Sequence, residues 1–294
     1  MRYKINNRAV SLLIVLAIYI IAFFIGLLVF RLSTDMHILI STFLADIAAT
    51  IIVWGFGILF LNSSVYDPYW SIAPVVIVPF WMITKGISLS VTDILFIAVI
   101  AIWGIRLTLN WVMRWRGLQQ QDWRYTMLKE KSPRLWFLTN LFGINLIPTI
   151  IVFAALVPVY FGIGQTGSLK ALTIFGFIVC MGAVLIQAIS DKQMDLFKKD
   201  TSNKNQYIDK GLWRYSRHPN YLGEVSFWWG IWLMQMGPIP KLWSTVAGPV
   251  FMTLLFIFIS IPMMEKHILE SRPTYVKYQG QVSVLKFLPR KKMP

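Results

Sequence analysis

Four stretches of this chain place chemically useful side chains at spacings that matter. The densest is Gly211–Glu224, which reads GLWRYSRHPNYLGE. Pro219 suits the first turn of a helix. A helix beginning there aims Arg214, Arg217, His218 and Asn220 around its N-terminus, where amides and dipole favour anions. Arginine offers a forked donor for phosphate. Asn220 and Glu224 stand one turn apart, and Glu224 enters an apolar run where an unpaired carboxylate is costly. Basic residues ahead of a membrane span also serve topology, which is the competing reading; Tyr215, His218, Tyr221, Asn220 and Glu224 do not serve it.

Two further stripes follow four-residue steps, which hold side chains on one helix face. Arg106, Asn110 and Arg114 form the first, with Trp103 about one turn above. A charge at membrane depth costs ~2.5–3.5 kcal/mol on insertion scales and usually faces a polar cavity or partner, although Arg106 is near enough to a helix end to snorkel. Gln187, Asp191, Asp195 and Lys198 form the second, where Asp191 beside Lys192 is equally readable as an interfacial ion pair. The last stretch, Asn62–Pro74, holds Tyr66, Asp67 and Tyr69. Asp and Tyr can donate a proton to a substrate oxygen, while Asp-Pro is also turn chemistry and Tyr and Trp also line headgroup belts. The run Gly162–Gly167 spells G-x-G-x-x-G, but it joins two apolar segments rather than a strand and a helix, and is read as a plain turn.

These stripes need elements to carry them, and composition says which. Of 294 residues, 56% are hydrophobic and 14% charged, with mean hydropathy +0.61. Water-soluble domains carry about a quarter charged residues, so most of this chain has bilayer as its solvent. The net charge of +15 sits in short loops between apolar runs, so no basic domain exists to hold nucleic acid. Cys180 lies inside an apolar run, and His37, His218 and His267 are scattered, so neither a disulfide framework nor a metal site is expected. The basic N-terminus and the apolar run Val10–Phe30 read as a first span rather than a signal peptide.

The apolar runs predict an all-α, polytopic membrane bundle of seven or eight spans: Val10–Phe30, Ile38–Leu61, Trp70–Thr84, Val91–Asn110, Phe137–Phe161, Lys170–Ser190, Tyr221–Met236 and Trp243–Met263, the third and seventh being short. Residues 1–9, 111–136, 191–219 and 264–294 hold 23 of the 28 Lys and Arg. The positive-inside rule therefore predicts both termini in the cytoplasm. All four chemically suggestive stretches then open on that side.

Taken together, GLWRYSRHPNYLGE, QAISDKQMDLFK (Gln187–Lys198), QDWRY (Gln121–Tyr125), NSSVYDPYW (Asn62–Trp70), WGIRLTLN (Trp103–Asn110) and MEKHILESRPTYVKY (Met264–Tyr278) resemble the bacterial domain-of-unknown-function 1295 branch of the steroid 5-alpha-reductase superfamily, over roughly residues 55–290. The resemblance implies a multi-pass reductase of the bacterial cytoplasmic membrane that takes hydride from NADPH and gives it to the double bond of an enone lipid, of steroid or isoprenoid type. It implies one domain, 1–294, with residues 1–84 on the substrate side and 85–294 carrying the cofactor-binding helices and loops. Positions matching the superfamily's cofactor contacts are Arg106, Arg116, Asp191, Lys198, Tyr215, Asn220 and Glu224. Physical grounds add Arg124, Tyr125, Arg214, Arg217, His218 and Tyr221.

Reducing an enone calls for an acid at the carbonyl oxygen, where negative charge develops. The superfamily's Gln-Glu-x-Pro segment is absent here. Its nearest equivalents are Asp67, Tyr66 and Tyr69, and the superfamily's Tyr position is Trp103, whose N–H donates a hydrogen bond but transfers no proton at neutral pH. Two other classes compete. The R-H-P-x-Y segment is similar to part of the S-adenosylmethionine site of isoprenylcysteine carboxyl methyltransferases, although their Glu-Glu pair is here Glu265 followed by Lys266 and His267. A non-catalytic lipid-binding protein would instead lack convergent polar groups.

Overall fold

A computed structural model describes residues 7–289. The basic positions Arg2, Lys4, Arg290, Lys291 and Lys292 of the charge count lie outside the described residues. Among the described residues the longer helical stretches are α1 (Arg8–Leu32), α2 (Ile38–Leu59), α3 (Tyr69–Thr84), α4 (Val91–Arg114), α5 (Trp123–Lys131), α6 (Pro133–Gly162), α7 (Ala171–Lys199), α8 (Pro219–Met236), α9 (Pro240–Ser271) and α10 (Tyr275–Gln281). No strand occurs among the described residues. The fold is an all-α bundle of membrane-spanning character.

Each predicted span is a helix. Six, namely α1, α2, α4, α6, α7 and α9, are long and apolar enough to cross a bilayer. The other two are the short ones. With 16 residues, α3 is about 24 Å long, against a hydrocarbon core of about 30 Å. It also contains Pro74 and Pro79. Several helices outrun their apolar cores: α4 continues to Arg114 and α7 to Lys199. A helix does not stop where lipid does, so the polar stripes Arg106–Arg114 and Gln187–Lys198 are carried on regular helix.

The chain divides into two compact units. One comprises Met1–Leu89 and Ile100–Gly164; the other comprises Ser90–Val99 and Gln165–Pro294. In the first unit Asn7 caps α1, accepting from Ala9 N at 2.8 Å. Gly26 lets α1 and α2 approach, since a Cβ there would lie 3.1 Å from the Ala45 carbonyl oxygen. Trp81 of α3 is fully buried and donates its indole N–H to Thr42 of α2 at 3.0 Å. Within α6, Thr139–Leu146 is wound as π-helix. That winding aligns residues five apart, and Asn145 Nδ2 donates to the Asn140 carbonyl oxygen at 2.8 Å.

The second unit is built on an antiparallel pair, α7 and α8, joined so closely that glycine is required at three levels. A Cβ on Gly176 would lie 2.6 Å from Met234 N, on Gly230 2.6 Å from Cys180 Sγ, and on Gly223 2.5 Å from Gln187 Cγ. The run Gly162–Gly167 is the turn the sequence predicts: α6 ends at Gly162, and Gly164 and Gly167 take positive φ of 74° and 120°.

Candidate functional site

In the first unit, two motifs far apart in sequence are bonded together. Asn62 donates its side-chain amide to the carbonyls of Leu118 and Gln120, both at 2.9 Å, and accepts from Ser64 N at 2.9 Å. Ser63 N donates to Gln121 Oε1 at 3.0 Å, and Asp122 N to Ser64 Oγ at 2.9 Å. Asn140, aligned by the π turn, donates to Ser63 Oγ at 2.8 Å. The stretches Asn62–Trp70 and Gln121–Tyr125 thus form one polar shelf.

On this shelf the Tyr125 hydroxyl donates to Asp67 Oδ1. Burial lifts the Asp67 carboxyl to about 6, against the opposing pull of the Arg124 cation and the hydrogen bond from Tyr125. Burial likewise pushes the Tyr125 phenol up. Arg124 is engaged by Asp122, with Nε at 2.9 Å and Nη2 at 3.0 Å. Arg116 is exposed and Arg106 half-buried.

The three polar candidates at the start of α3 turn to different hydrogen-bond partners, although the Tyr66 and Tyr69 rings pack 5.6 Å apart. Asp67 faces Tyr125. Tyr66, 3% exposed, meets Thr149 of α6 at 2.8 Å, and Thr149 in turn meets Thr50 of α2 at 3.0 Å. Tyr69 donates to Asp46 Oδ1 of α2 at 2.7 Å. Trp103 is fully buried, edge-on to Trp70 with ring centres 5.7 Å apart. The Asp46–Tyr69 pair borders an apolar cavity of about 110 Å³ among α1, α2 and α3. Sequence reasoning missed Asp46. Its signal was there, as the lone carboxylate inside the apolar run Ile38–Leu61, a position that costs free energy unless it is paired or functional.

The second unit gathers the other nine candidate residues around the start of α8. The segment Gly211–Arg214 rests on the end of α7: Leu212 N donates to Gln193 Oε1 at 3.0 Å, and the Trp213 indole to the Ser190 carbonyl at 3.3 Å. Gly211 takes φ 61°, and a side chain there would collide with Gln193. Pro219 occupies the first turn of α8, as the sequence predicts. Gln187 is level with Gly223; one turn further along this antiparallel register, Asp191 is level with Pro219 and Asn220. Lys198, Arg214 and Tyr215 are exposed beyond them.

Asn220 carries the most telling observation in this unit. Its side-chain oxygen is buried and has no hydrogen-bond partner. One turn on, Glu224 is 4% exposed and accepts from the Trp228 indole at 2.9 Å. Tyr221 stacks on His218, with ring centres 5.3 Å apart and planes 8° from parallel.

Arg217 and His218 are turned to internal work. Glu265 of α9 sits 2.8 Å from Arg217 Nε and 2.9 Å from His218 Nε2, and accepts from Gln279 Nε2 at 2.8 Å. Arg217 also donates to the carbonyls of Gln279 and Val282, at 2.6 and 3.2 Å. These bonds fasten the C-terminal segment to the approach of α8. The two residues read as anion binders in the sequence thus share a carboxylate partner, Glu265.

The helical bundle and its apolar spans define an integral-membrane protein. The chain belongs to the family described as Protein of unknown function (DUF1295), which matches residues 53–282 and is part of the steroid 5-alpha-reductase-like superfamily. It is similar to the uncharacterized protein C594.04c of Schizosaccharomyces pombe, 24% identical over 271 residues, covering 81% of this chain and 76% of the relative. No solved structure matches it significantly.

Proposed function

We propose that this protein is a membrane-embedded, NADPH-dependent reductase of a lipid-like enone, of steroid or isoprenoid type, in a bacterial cytoplasmic membrane with its basic loops facing the cytoplasm. The observation that carries the reading is the buried, unpartnered oxygen of Asn220. A buried acceptor without a donor is destabilising by about 1–3 kcal/mol, and such a group is retained where a ligand supplies the donor. The carboxamide N–H of a nicotinamide is a donor of that kind. Family membership and Asp191 at the level of Asn220 support the same assignment.

In this reading Asn220 accepts from the carboxamide and Glu224, steadied by Trp228, borders the same end of the cofactor. Lys198, Arg214 and Tyr215 offer exposed donors to phosphate. Arg217, His218 and Tyr221 hold the entry to α8 in shape. When bound, the reduced nicotinamide supplies hydride. Within the first unit, the candidate for the acid that enone reduction requires is Asp67: a carboxyl lifted to about 6 exchanges its proton near working pH, as a general acid must. Tyr125 orients it, while Tyr66, Tyr69 and Trp103 wall the neighbouring bundle.

The test is a titration of the full chain, purified in detergent, with NADPH, followed by the cofactor's fluorescence. Saturable enhancement is expected, with Asn220→Ala weakening it at least about tenfold, the loss of one buried hydrogen bond. Absence of any NADPH signal, together with saturable binding of S-adenosylmethionine, would replace this reading with the methyl-transfer one.

A further inference from the structure

The cavity among α1, α2 and α3 has a polar floor and an apolar wall. Its hydroxyl groups are spoken for: Tyr19 donates to the Val65 carbonyl at 2.7 Å, Thr42 to the Ile38 carbonyl at 2.7 Å, and Tyr69 to Asp46 Oδ1 at 2.7 Å. What remains is the second carboxyl oxygen of Asp46, which no described donor reaches. Asp46 is only 7% exposed, so this oxygen can be satisfied only by something inside the cavity. At the rim, Phe23 and Val76 are 45% and 40% exposed. Both are mid-helix residues, so the mouth opens sideways at the depth of lipid chains rather than towards water.

We propose that this cavity binds a neutral lipid alcohol: its hydroxyl donates to the free oxygen of Asp46, its first carbons fill the apolar wall, and its tail leaves between Phe23 and Val76 into the bilayer. A volume of about 110 Å³ holds one end of such a molecule, well below the ~300–1,000 Å³ that encloses a whole ligand. A hydroxyl matches the site because its hydrogen completes the carboxyl group, whereas a hydrocarbon leaves it incomplete. A cationic head would have to be carried to mid-bilayer depth, which disfavours it. The assignment concerns binding alone and stands whether or not the reductase reading does.

The experiment uses the full chain in lipid nanodiscs and geranylgeraniol bearing a diazirine on its tail. Photolabelling is expected on α1 and α3, displaced by unlabelled geranylgeraniol roughly tenfold better than by the matching hydrocarbon, the value of one buried hydrogen bond. Asp46→Leu should erase that preference while leaving hydrocarbon binding in place. Ala73→Trp, which fills the wall of the cavity, should abolish labelling, and Asp46→Ala serves if the leucine variant does not fold. Equal displacement by hydrocarbon, labelling indifferent to Ala73→Trp, or tighter binding of geranylgeranylamine would each overturn the proposal.

Discussion

Tyr125 hands its phenolic hydrogen to Asp67, joining a short helix at one loop to the Asp-Pro turn that begins α3. That bond, inside a shelf closed by Asn62, Ser63, Ser64 and Gln121, places a carboxyl where solvent stabilises its charge poorly. Its proton is consequently held more tightly in the folded chain than in the unfolded one.

The pH dependence follows with a definite sign. The folded Asp67 sits at about 6, against 3.8 for an ordinary aspartate. Its contribution to stability is complete below about pH 4, falls as pH rises through about 6, and is then constant. The total change is of the order of 2–3 kcal/mol. Asp67→Asn keeps an acceptor for Tyr125 and cannot ionise, so its thermal unfolding in detergent should lose this slope and exceed the parent's stability at pH 8. A parent whose stability is flat between pH 4 and 7 would contradict it.

Asn220 should show opposite effects on stability and binding. Replacing a buried orphan acceptor with an apolar side chain of similar size relieves a penalty of about 1–2 kcal/mol. Asn220→Leu is therefore expected to raise the unfolding temperature while removing cofactor-dependent fluorescence. A residue kept only for packing would lose stability when changed.

Glu265 gathers Arg217, His218 and Gln279, with Arg217 and Glu265 side chains 11% and 13% exposed. Glu265→Ala leaves two donors and a cation without their acceptor, a loss of about 3 kcal/mol. Limited proteolysis should then cut first between Ser271 and Leu288. Glu265→Gln, which keeps the acceptor geometry on one oxygen, should be cut more slowly.

Glycine substitutions in α7 should separate by contact. Gly176→Ala brings a methyl within 2.6–2.7 Å of the Met234 N and Gly230 O backbone atoms and should cost about 1–3 kcal/mol. Gly182→Ala meets nothing within 4 Å and should gain roughly 0.5–1 kcal/mol from lower unfolded-state freedom. Paired thermal denaturation of the two variants reads the difference directly.

The helices were legible because bilayer burial writes itself as long apolar runs, and the short runs Trp70–Thr84 and Tyr221–Met236 became short helices. The start of α8 at Pro219 was legible for the same local reason. Partnership was not. Asp67 with Tyr125, Tyr69 with Asp46, and Arg217 with Glu265 are separated by tens of residues, and no spacing rule reaches so far. Arg217 and His218 read as an anion site, and the carboxylate they meet arrives from α9, which no local spacing shows. Asp46 was passed over because it belongs to no motif, although its place amid apolar neighbours was the clue.

The π-wound turn of α6 acts as a ratchet pawl. Asn145 grips Asn140 five residues earlier, and Asn140 in turn grips Ser63. Each i→i+5 turn absorbs an extra residue, so rewinding this stretch as ordinary α-helix without removing one would rotate everything beyond by about 100°. Thr149 would swing away from Tyr66 and Thr50 at the same stroke. Loss of the π winding would therefore dismantle both contacts of Thr149, with Tyr66 and with Thr50, while a one-residue deletion that lets the stretch wind as α-helix would keep the angular setting of the helix beyond it.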